Sequence, residues 1–478
     1  SMFSRPMSIR LEIPARGTKI EHAAVNGQAV RWNSLREAVG RPRIEISSDP
    51  AAQVNIRILW KGSKPEGPKD SAAAAQGSIL RAQYNEARII QLEDPQHVLA
   101  DGVRFSGNSF EARVQGAPGH RSVFLHLRQG GMSWQYPVSF ELREPYEILP
   151  SVQKPDDCFR FRLRNNTNEK INANAVIQVN QQSKKAPLKI PAYGLSGEIA
   201  LSASDLPLLP GTNQIVIDLG KGKTAQGLVT NWQIRAVGQL LCDPVNLDGI
   251  FNDRLTQIFK NEYISPRSPY CSLAIPKQGI GSWCDFAKTF EVDDSGLRRA
   301  AEENQGRLVL PQGVVFSSPA VAEAKNIAFT SQWDNYPTEV CVPLSGRARH
   351  LYLLMAGSTN SMQSRVDNGE VIVAYEDGSS DRLALYNPTV WWPIDQDYFI
   401  DDYGFCRPEP IPPRVHLKTG QVYAAEPSEF KGRGGVVVGG AATVLDLPLQ
   451  SQRPLRSLTV RTLANEVVIG LMSASLVR

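Results

Sequence analysis

The chain has 478 residues, and at roughly 150 residues per domain this length predicts about three domains. Its 52 basic and 48 acidic residues leave a formal charge of +4, and no Lys/Arg block is dense enough for a phosphate-binding stripe, so we expect no nucleic-acid partner. Apolar runs such as Val436-Val437-Val438 are far too short to span a bilayer as a helix.

The first segment, residues 7–149, alternates polar and apolar residues with the period of two that half-buried strands require. Turn-forming clusters separate the alternating runs, and Gly130-Gly131 is expected to connect two of them. This pattern is typical of a β-sandwich domain. The alternating runs cover residues 8–13, 52–60, 107–114, 120–127 and 134–142.

The second segment, residues 150–235, contains shorter strands at similar intervals. Phe159 to Leu163 alternates cleanly and ends at the turn-forming pair Asn165-Asn166. A segment of this size with short alternating strands predicts a small immunoglobulin-like sandwich. The further strands are expected at residues 171–179, 196–201 and 214–219.

The third segment, residues 236–478, is expected to form a large jelly-roll domain with one short helix near its start. Apolar residues at i, i+4, i+7 and i+8 predict that helix, which Asp248 or Asn252-Asp253 would cap. Residues 349–356 predict a central buried strand, and Asp377-Gly378 predicts a β-hairpin between residues 370–375 and 382–386. The last strands are expected at residues 457–462 and 466–471. The helical apolar positions are Phe251, Leu255, Ile258 and Phe259.

The cysteines and histidines indicate no metal site. The six cysteines have wide, irregular spacings without a CxxC pair, so we expect buried, unpaired thiols, with a Cys271–Cys284 disulfide as the alternative in an exported protein. His120 and His126 lie six residues apart on a predicted strand, about 20 Å along it, and are too far apart to share a metal ion. The remaining cysteines are Cys158, Cys242, Cys341 and Cys406.

The sequence contains none of the standard catalytic motifs. It has no GxSxG nucleophile elbow, no HExxH zinc motif and no Walker-type phosphate loop. We therefore expect no cofactor and assign no nucleophile.

Two predicted loops, residues 332–337 and 391–403, combine aromatic rings with polar side chains, and a third, residues 358–365, is polar; together they have the residue types of a saccharide site. Aromatic rings stack on the C–H faces of sugars, and Asp, Asn and Arg side chains bond sugar hydroxyls. Since successive residues of an extended segment point in opposite directions, we expect one of Trp391 and Trp392 in the core and the other partly exposed. The alternative is that the aromatic residues only plug the ends of the sandwich and the polar groups bond loop backbone. The candidate carbohydrate-binding residues are Trp333, Asp334, Tyr336, Asn360, Gln363, Arg365, Trp391, Trp392, Tyr398, Asp401 and Tyr403.

Several carboxylates are candidates for glycoside hydrolysis. That reaction uses two carboxyl groups about 5 to 9.5 Å apart, on either side of the scissile bond. Asp395, Asp397 and Glu339 are the candidates, but no spacing singles out a pair. The sequence therefore assigns no catalytic residue.

Two groups of motifs stand out between residues 240 and 420. The first group is Phe251-Asn252-Asp253, residues 257–261, residues 263–267 and residues 275–284. The second is residues 353–360, residues 362–365, Asp367-Asn368-Gly369, Asn387-Pro388 and Trp391-Trp392-Pro393-Ile394. Together they look like the carboxy-terminal β-domain region of large secreted six-hairpin glycosidase-like proteins, which Gram-negative polysaccharide degraders encode.

The resemblance implies a context of saccharide processing in the periplasm, in secretion or at the cell surface. In such proteins an (α/α)6 barrel carries the catalysis and β-domains flank it. This sequence contains one candidate helix, so the barrel is missing from it and no catalytic residue of the family is transferred. The amino terminus also lacks the apolar region of a signal peptide. The resemblance implies an (α/α)6 catalytic domain, which this sequence does not contain, as a partner.

The leading hypothesis is a non-catalytic, carbohydrate-binding β-region of a polysaccharide-degrading, glycosidase-like protein, with an oligo- or polysaccharide as ligand. The first alternative is a glycoside hydrolase or polysaccharide lyase that uses a carboxylate pair in the jelly roll. The second alternative is a structural cell-surface scaffold of stacked sandwiches.

Overall fold

The structure is a computed structural model of the chain, and its described part is nearly all β, with 54% of those residues in strands. The described part of the chain contains one α-helix, Ser295–Glu303. None of the helices in that part is long and apolar enough to cross a membrane. The predicted all-β class with tandem β-sandwich domains is confirmed. The described residues are 9–49, 51, 53–67, 73–100, 103–154, 156, 158–180, 182–234, 240–260, 290–332, 336–359, 364–398, 410–423, 436–465 and 467–478.

The chain divides into two compact units. The first consists of Ser1–Glu147, Leu163–Ala173 and Leu188–Ser196. The second consists of Ile148–Arg162, Asn174–Pro187 and Gly197–Arg478.

The first unit is built from short antiparallel strands around the long hairpin of β12 and β13. The hairpin pairs Gly119 with Leu142 and Gln129 with Met132, and Gly130 turns the chain at φ +59°. Alternate residues of both strands are buried, as the period-two pattern predicted. The strands are β1 (Ile9–Pro14), β2 (Lys19–Val25), β3 (Gln28–Ala29), β4 (Trp32–Leu35), β5 (Arg43–Ser48), β6 (Ile56–Lys61), β7 (Ala74–Ala75), β8 (Ile79–Gln83), β9 (Arg88–Glu93), β10 (Arg104–Ser106), β11 (Ser109–Arg113), β12 (Gly119–Gln129) and β13 (Met132–Arg143).

The segment that follows contains longer strands with clear alternation. β19 and β20 pair from Gly211 opposite Asn231 to Gly220 opposite Lys223, and Ile215 and Ile217 face the core. Apolar residues on one face of each strand bury that face, at about 1.5–3 kcal/mol for each fully buried side chain. The strands are β14 (Tyr146–Pro150), β15 (Cys158–Asn165), β16 (Ile171–Val179), β17 (Gln182–Ile190), β18 (Ile199–Ser202), β19 (Gly211–Gly220) and β20 (Lys223–Asn231).

The carboxy-terminal part is a two-sheet sandwich. The larger sheet has the order β21-β33-β26-β31-β29-β30, with β24 also beside β33, and the smaller sheet has the order β25-β32-β27-β28. One core lies between the two sheets, and a second core on the outer face of the larger sheet includes residues of α1, the helix Ser295–Glu303. β26 is therefore buried on both faces, as its apolar sequence predicted. The strands are β21 (Cys242–Pro244), β22 (Arg307–Val309), β23 (Val315–Ser317), β24 (Ala328–Ser331), β25 (Glu339–Pro343), β26 (His350–Ser358), β27 (Asp367–Tyr375), β28 (Ser380–Tyr386), β29 (Arg414–His416), β30 (Val422–Tyr423), β31 (Ala441–Pro448), β32 (Leu455–Thr462) and β33 (Val468–Val477).

The helix predicted around residues 251–259 is wrong. This stretch contains only a 3₁₀ turn, Leu255–Gln257. The Asn252 side chain donates to the Phe329 carbonyl at 2.8 Å and accepts the Phe329 amide at 2.9 Å, and these bonds hold the chain against a strand. Leu255 and Ile258 are still fully buried, so their spacing indicated burial correctly and the backbone conformation incorrectly.

Two other sequence predictions have clear outcomes. The Asp377-Gly378 hairpin is confirmed, because β27 and β28 pair antiparallel across it and Gly378 has φ +84°. Among the described cysteines, all three are unpaired as expected, but Cys341 is exposed and the other two are half-buried, so the expected burial is wrong. Cys271, Cys284 and Cys406 lie outside the described residues.

A buried polar network joins β26 and β31 to the start of β19 within the second unit. The Asp446 Oδ2 atom lies 2.9 Å from the His350 Nε2 atom and accepts the Thr212 amide at 2.6 Å. The Thr212 hydroxyl donates to Asp446 Oδ1 at 3.2 Å, and the Tyr352 hydroxyl donates to the Pro210 carbonyl at 2.7 Å. Each buried polar group in this network therefore has a partner, which keeps the cost of its desolvation low.

Candidate functional site

The structure describes only part of the predicted carbohydrate-binding set. Tyr336 is buried, and its hydroxyl donates to Asp253 Oδ2 at 2.8 Å, so the ring supports the fold. Arg365 is exposed and has φ +61°. Glu339 is exposed on β25, opposite Arg461. The residues outside the described part of the chain are Trp333, Asp334, Asn360, Gln363, Asp401 and Tyr403.

Trp391 and Trp392 are both buried, with exposed fractions of 1% and 2%. The prediction that one of the two is partly exposed is wrong. Residues 387–390 form a turn instead of an extended strand, so the two rings enter different cores. Trp391 packs in the core between the two sheets, whereas Trp392 packs with Tyr398 and Ile411. In this structure neither indole presents a face to a ligand.

Three half-buried polar side chains lie together beside Trp392. They belong to Asp397, His416 and Tyr423, and we call them the Asp397 cluster. Asp397 Oδ1 accepts the Tyr398 amide at 3.0 Å and the Tyr423 hydroxyl at 3.2 Å. The His416 and Tyr423 rings lie 4.4 Å apart between centroids. The cluster therefore places a carboxylate, a phenol and an imidazole next to one another at a partly open surface.

Buried side chains hold the backbone around the Asp397 cluster. Arg414 is fully buried and donates to the carbonyls of Pro393 at 2.9 Å, Ala441 at 3.0 Å and Gln396. Its guanidinium also lies 5.0 Å from the Tyr398 ring centroid. Because an arginine is always charged and offers five donors in a planar fork, it can satisfy several loop carbonyls at once.

The Trp392 indole and the Tyr398 ring fix the other side of the cluster. The Trp392 Nε1–H donates to the Asp397 carbonyl at 3.2 Å, and the Tyr398 hydroxyl donates to the Pro412 carbonyl at 3.3 Å. The two rings meet edge to face at 5.5 Å. Trp392 and Tyr398 therefore position the backbone of the site and do not form its surface.

The titratable groups at this end of the sandwich are perturbed mainly by burial. Burial raises the pKa of the Asp395 carboxyl, against the opposing effect of the Arg414 charge, and its Oδ1 atom has no hydrogen-bond partner among the described residues. Burial lowers the pKa of the His416 imidazole, Asp397 opposes that shift, and Arg414 adds to it. Burial also raises the pKa of the Tyr423 phenol. At neutral pH the imidazole and the phenol of the cluster are therefore neutral.

The cluster can bond hydroxyl groups in both directions. Asp397 Oδ2 has no donor among the described residues, so it is available to accept a hydroxyl hydrogen, while a phenol and an imidazole each donate and accept. Within the described part of the chain, no group of three or more His, Cys, Asp or Glu side chains is arranged to hold a metal ion.

The sequence analysis missed three residues of this site, Arg414, His416 and Tyr423. They belong to β29 and β30, which pair antiparallel from Arg414 opposite Tyr423. The local signal was the alternation in Arg414-Val415-His416, which follows Pro412-Pro413 and marks a short strand with buried apolar and polar residues.

No protein-family model matches this chain, and no curated protein matches its sequence. Among solved structures, SGBP-B of the Bacteroides ovatus mixed-linkage glucan utilization locus, in complex with a mixed-linkage heptasaccharide, has a TM-score of 0.20 and 8% identity, over 98% of this chain and 92% of that chain. The BSP domain of a biofilm-associated protein has a TM-score of 0.15 and 13% identity, over 34% of this chain and 29% of that chain. The endo-fucoidan hydrolase MfFcnA4 of glycoside hydrolase family 107 has a TM-score of 0.14 and 9% identity, over 48% and 42%. Likenesses this low do not establish a shared overall fold.

Proposed function

We propose that the carboxy-terminal sandwich binds an oligo- or polysaccharide without transforming it, as an accessory region of a polysaccharide-degrading system. The supporting observation is the Asp397 cluster, in which two hydrogen bonds orient a carboxylate and leave its second oxygen to a ligand. Neighbouring carboxylate, phenol and imidazole groups match the dense hydroxyl groups of a sugar. The supporting residues are buried and paired, which preorganises the site and lowers the cost of binding.

The finer parts of this proposal come from the sequence resemblance. They are a location in the periplasm or at the cell surface and a partnership with an (α/α)6 catalytic domain. In the same proposal, the three polar loops predicted from the sequence would extend the ligand-binding surface beyond the Asp397 cluster.

Affinity electrophoresis and isothermal titration calorimetry of the full chain, against a panel of plant and host glycans, test the proposal. We expect at least one glycan to bind, and Asp397→Asn to weaken that binding about tenfold, because a hydrogen bond to a charged group contributes about 1.5–3 kcal/mol. Tyr423→Phe removes one bond and should weaken binding less. Asp248→Asn and Tyr386→Phe are matched controls on the same unit and should bind like the unaltered chain. Equal affinity of Asp397→Asn and Asp248→Asn for every bound glycan, or no binding to any glycan, would contradict the proposal.

The second candidate function is glycoside hydrolysis with Asp395 and Asp397 as the carboxyl pair. Its supporting observation is that the two groups have different environments, since burial raises the pKa of Asp395 whereas hydrogen bonds orient Asp397. Product analysis on the same glycan panel tests it. Activity that both Asp395→Asn and Asp397→Asn abolish would favour the enzyme, and binding without product favours the accessory role.

A further inference from the structure

A surface groove of about 370 Å³ lies within the first unit, away from any residue predicted from the sequence. Its floor is made by the small side chains of residues 73–75, where β7 runs parallel to β13. Its walls carry one aromatic ring, two guanidinium groups and one carboxamide. The wall residues are Arg143, Arg164, Asn166, Tyr193, Gly194 and Leu195.

Tyr193 is presented to solvent by a well-bonded loop. Its side chain is 73% exposed, and its backbone adopts φ +51°, which is uncommon and unfavourable for a bulky residue. The Tyr193 amide donates to the Thr167 carbonyl at 2.9 Å, and the Gly194 carbonyl accepts the Asn165 amide at 2.8 Å. The loop therefore keeps a large ring exposed in an unfavourable conformation, an arrangement that occurs more often at ligand sites than elsewhere.

The two arginines give the groove a positive charge. Arg143 is half-buried and forms no ion pair among the described residues. Arg164 has a long contact of 3.5 Å with Glu147, which uses one of its nitrogen atoms. Asn166 is held by a bond from its side-chain amide to the Glu144 carbonyl at 2.8 Å, and its amide oxygen remains available. A guanidinium group binds a carboxylate through two parallel hydrogen bonds.

We propose that this groove binds an acidic saccharide, with the Tyr193 ring stacked on a sugar face and Arg143 and Arg164 paired with a uronate carboxylate. The inference rests on the proposed saccharide-binding function and adds a second site and a ligand class to it. A sugar fits the groove because the flat Tyr193 ring, with Leu195 next but one to it, gives the lining its exposed apolar surface. The carboxylate follows from the charge of the two arginines.

Isothermal titration calorimetry of the full chain with tetragalacturonate at low salt tests the inference, with cellotetraose and tetraglutamate as comparison ligands. We expect tetragalacturonate to bind, and Arg143→Gln to weaken its binding about tenfold. Added salt should weaken the binding as well, because it screens the exposed charges. Tyr193→Ala should weaken binding and Tyr193→Phe should retain it, since the phenyl ring keeps the stacking face. Arg57→Gln removes an exposed charge of the same unit outside the groove and should leave the affinity unchanged.

Four outcomes would overturn the inference. The first is that tetragalacturonate does not bind, and the second is that Arg143→Gln and Tyr193→Ala bind it as tightly as Arg57→Gln does. The third and fourth are binding of cellotetraose in the groove, or of tetraglutamate, as tight as that of tetragalacturonate. Asp397→Asn separates the two proposals, because it should not change the affinity for tetragalacturonate. If neutral glycans bind and depend on Asp397 while tetragalacturonate does not bind, the groove fails and the proposed function stands. If only tetragalacturonate binds and only the groove variants weaken it, the groove stands and the Asp397 site fails.

Discussion

The Asp397 cluster and the Tyr193 groove use aromatic residues in opposite ways. Beside Asp397 the rings of Trp392 and Tyr398 are buried and position polar groups, whereas Tyr193 is itself the exposed contact surface. The density of aromatic residues in a sequence segment therefore does not predict a stacking platform. The backbone conformation determines whether an aromatic ring is buried in a core or exposed to a ligand.

The same difference decides whether a substitution should affect stability and binding together or binding alone. Around the Asp397 cluster, the groups that shape the site are also part of the core, so their substitution should affect stability and binding together. In the groove, the contact residues lie at the surface, so their substitution should affect binding alone. The following predictions test this contrast, from the largest expected effect to the smallest.

Trp391→Ala should lower the free energy of unfolding by about 3–5 kcal/mol, because it empties the space of a fully buried ring in the core between the sheets. Tyr193→Ala should change that free energy by less than about 0.5 kcal/mol, because the ring is exposed. Urea denaturation followed by intrinsic fluorescence and circular dichroism measures both. Similar losses for the two variants would remove the contrast between the two regions.

Arg414→Ala should lower the free energy of unfolding by about 3 kcal/mol, because three loop carbonyls lose a buried donor. It should also weaken glycan binding at the Asp397 cluster, since the loop that carries Asp397 loses its support. Arg57→Ala removes an exposed arginine and should have little effect on either quantity. An Arg414→Ala variant as stable as Arg57→Ala would show that the buried guanidinium does not hold this loop.

Asp395→Asn should raise the free energy of unfolding at neutral pH. This gain should be smaller than the losses expected for Trp391→Ala and Arg414→Ala. Burial raises the folded-state pKa of Asp395 above its unfolded value, so the folded state binds more protons and stability falls as the pH rises from about the unfolded pKa through the folded one. The Asp395→Asn variant has no carboxyl group to ionise at this position. The excess of its free energy of unfolding over that of the unaltered chain should therefore shrink as the pH falls toward about 3.9, where the unfolded carboxyl becomes protonated too. Thermal melts across that pH range measure the effect, with Asp248→Asn as the exposed control. An advantage that does not depend on pH would contradict the ionisation mechanism.

Asp397→Asn should lower the pKa of His416 further, because the Asp397 carboxylate is the group that favours the imidazolium form. Titration of the His416 ring signals by NMR measures this shift. Tyr423→Phe keeps the carboxylate and should change the pKa of His416 less. A rise in that pKa on removal of the Asp397 charge would mean that the two groups do not interact as the structure places them.

Local signals predicted much of the fold. The Asp377-Gly378 turn and its flanking strands were predicted because hairpin formation depends on a few adjacent residues. The helix predicted around residues 251–259 is absent, because the bonds between Asn252 and Phe329 connect residues 77 positions apart and override the helical spacing. Sequence spacing of apolar residues indicates which side chains are buried more reliably than it indicates the backbone conformation between them.

The candidate sites were less accessible to sequence reasoning because distant segments build them. Asp397 and Tyr423 are 26 residues apart. The pairing of β29 with β30 places Tyr423 opposite Arg414, whose guanidinium donates to the backbone just before Asp397. The groove is more dispersed, since residues 73–75, Arg143 and Tyr193 come from three separate parts of the first unit. None of the residues that line the groove was predicted as a site residue from the sequence, because no local pattern shows which charges meet around Tyr193.

The buried bonds from Asp446 to Thr212 limit where this chain can be divided without loss of stability. A fragment that begins at residue 236 would retain Asp446 and His350 but lose the Thr212 amide and hydroxyl that complete the carboxylate's shell. A buried carboxylate without those donors is costly, so we expect such a fragment to be less stable than the intact chain. The smallest stable fragment that carries the carboxy-terminal sandwich is therefore expected to include the strand that contains Thr212.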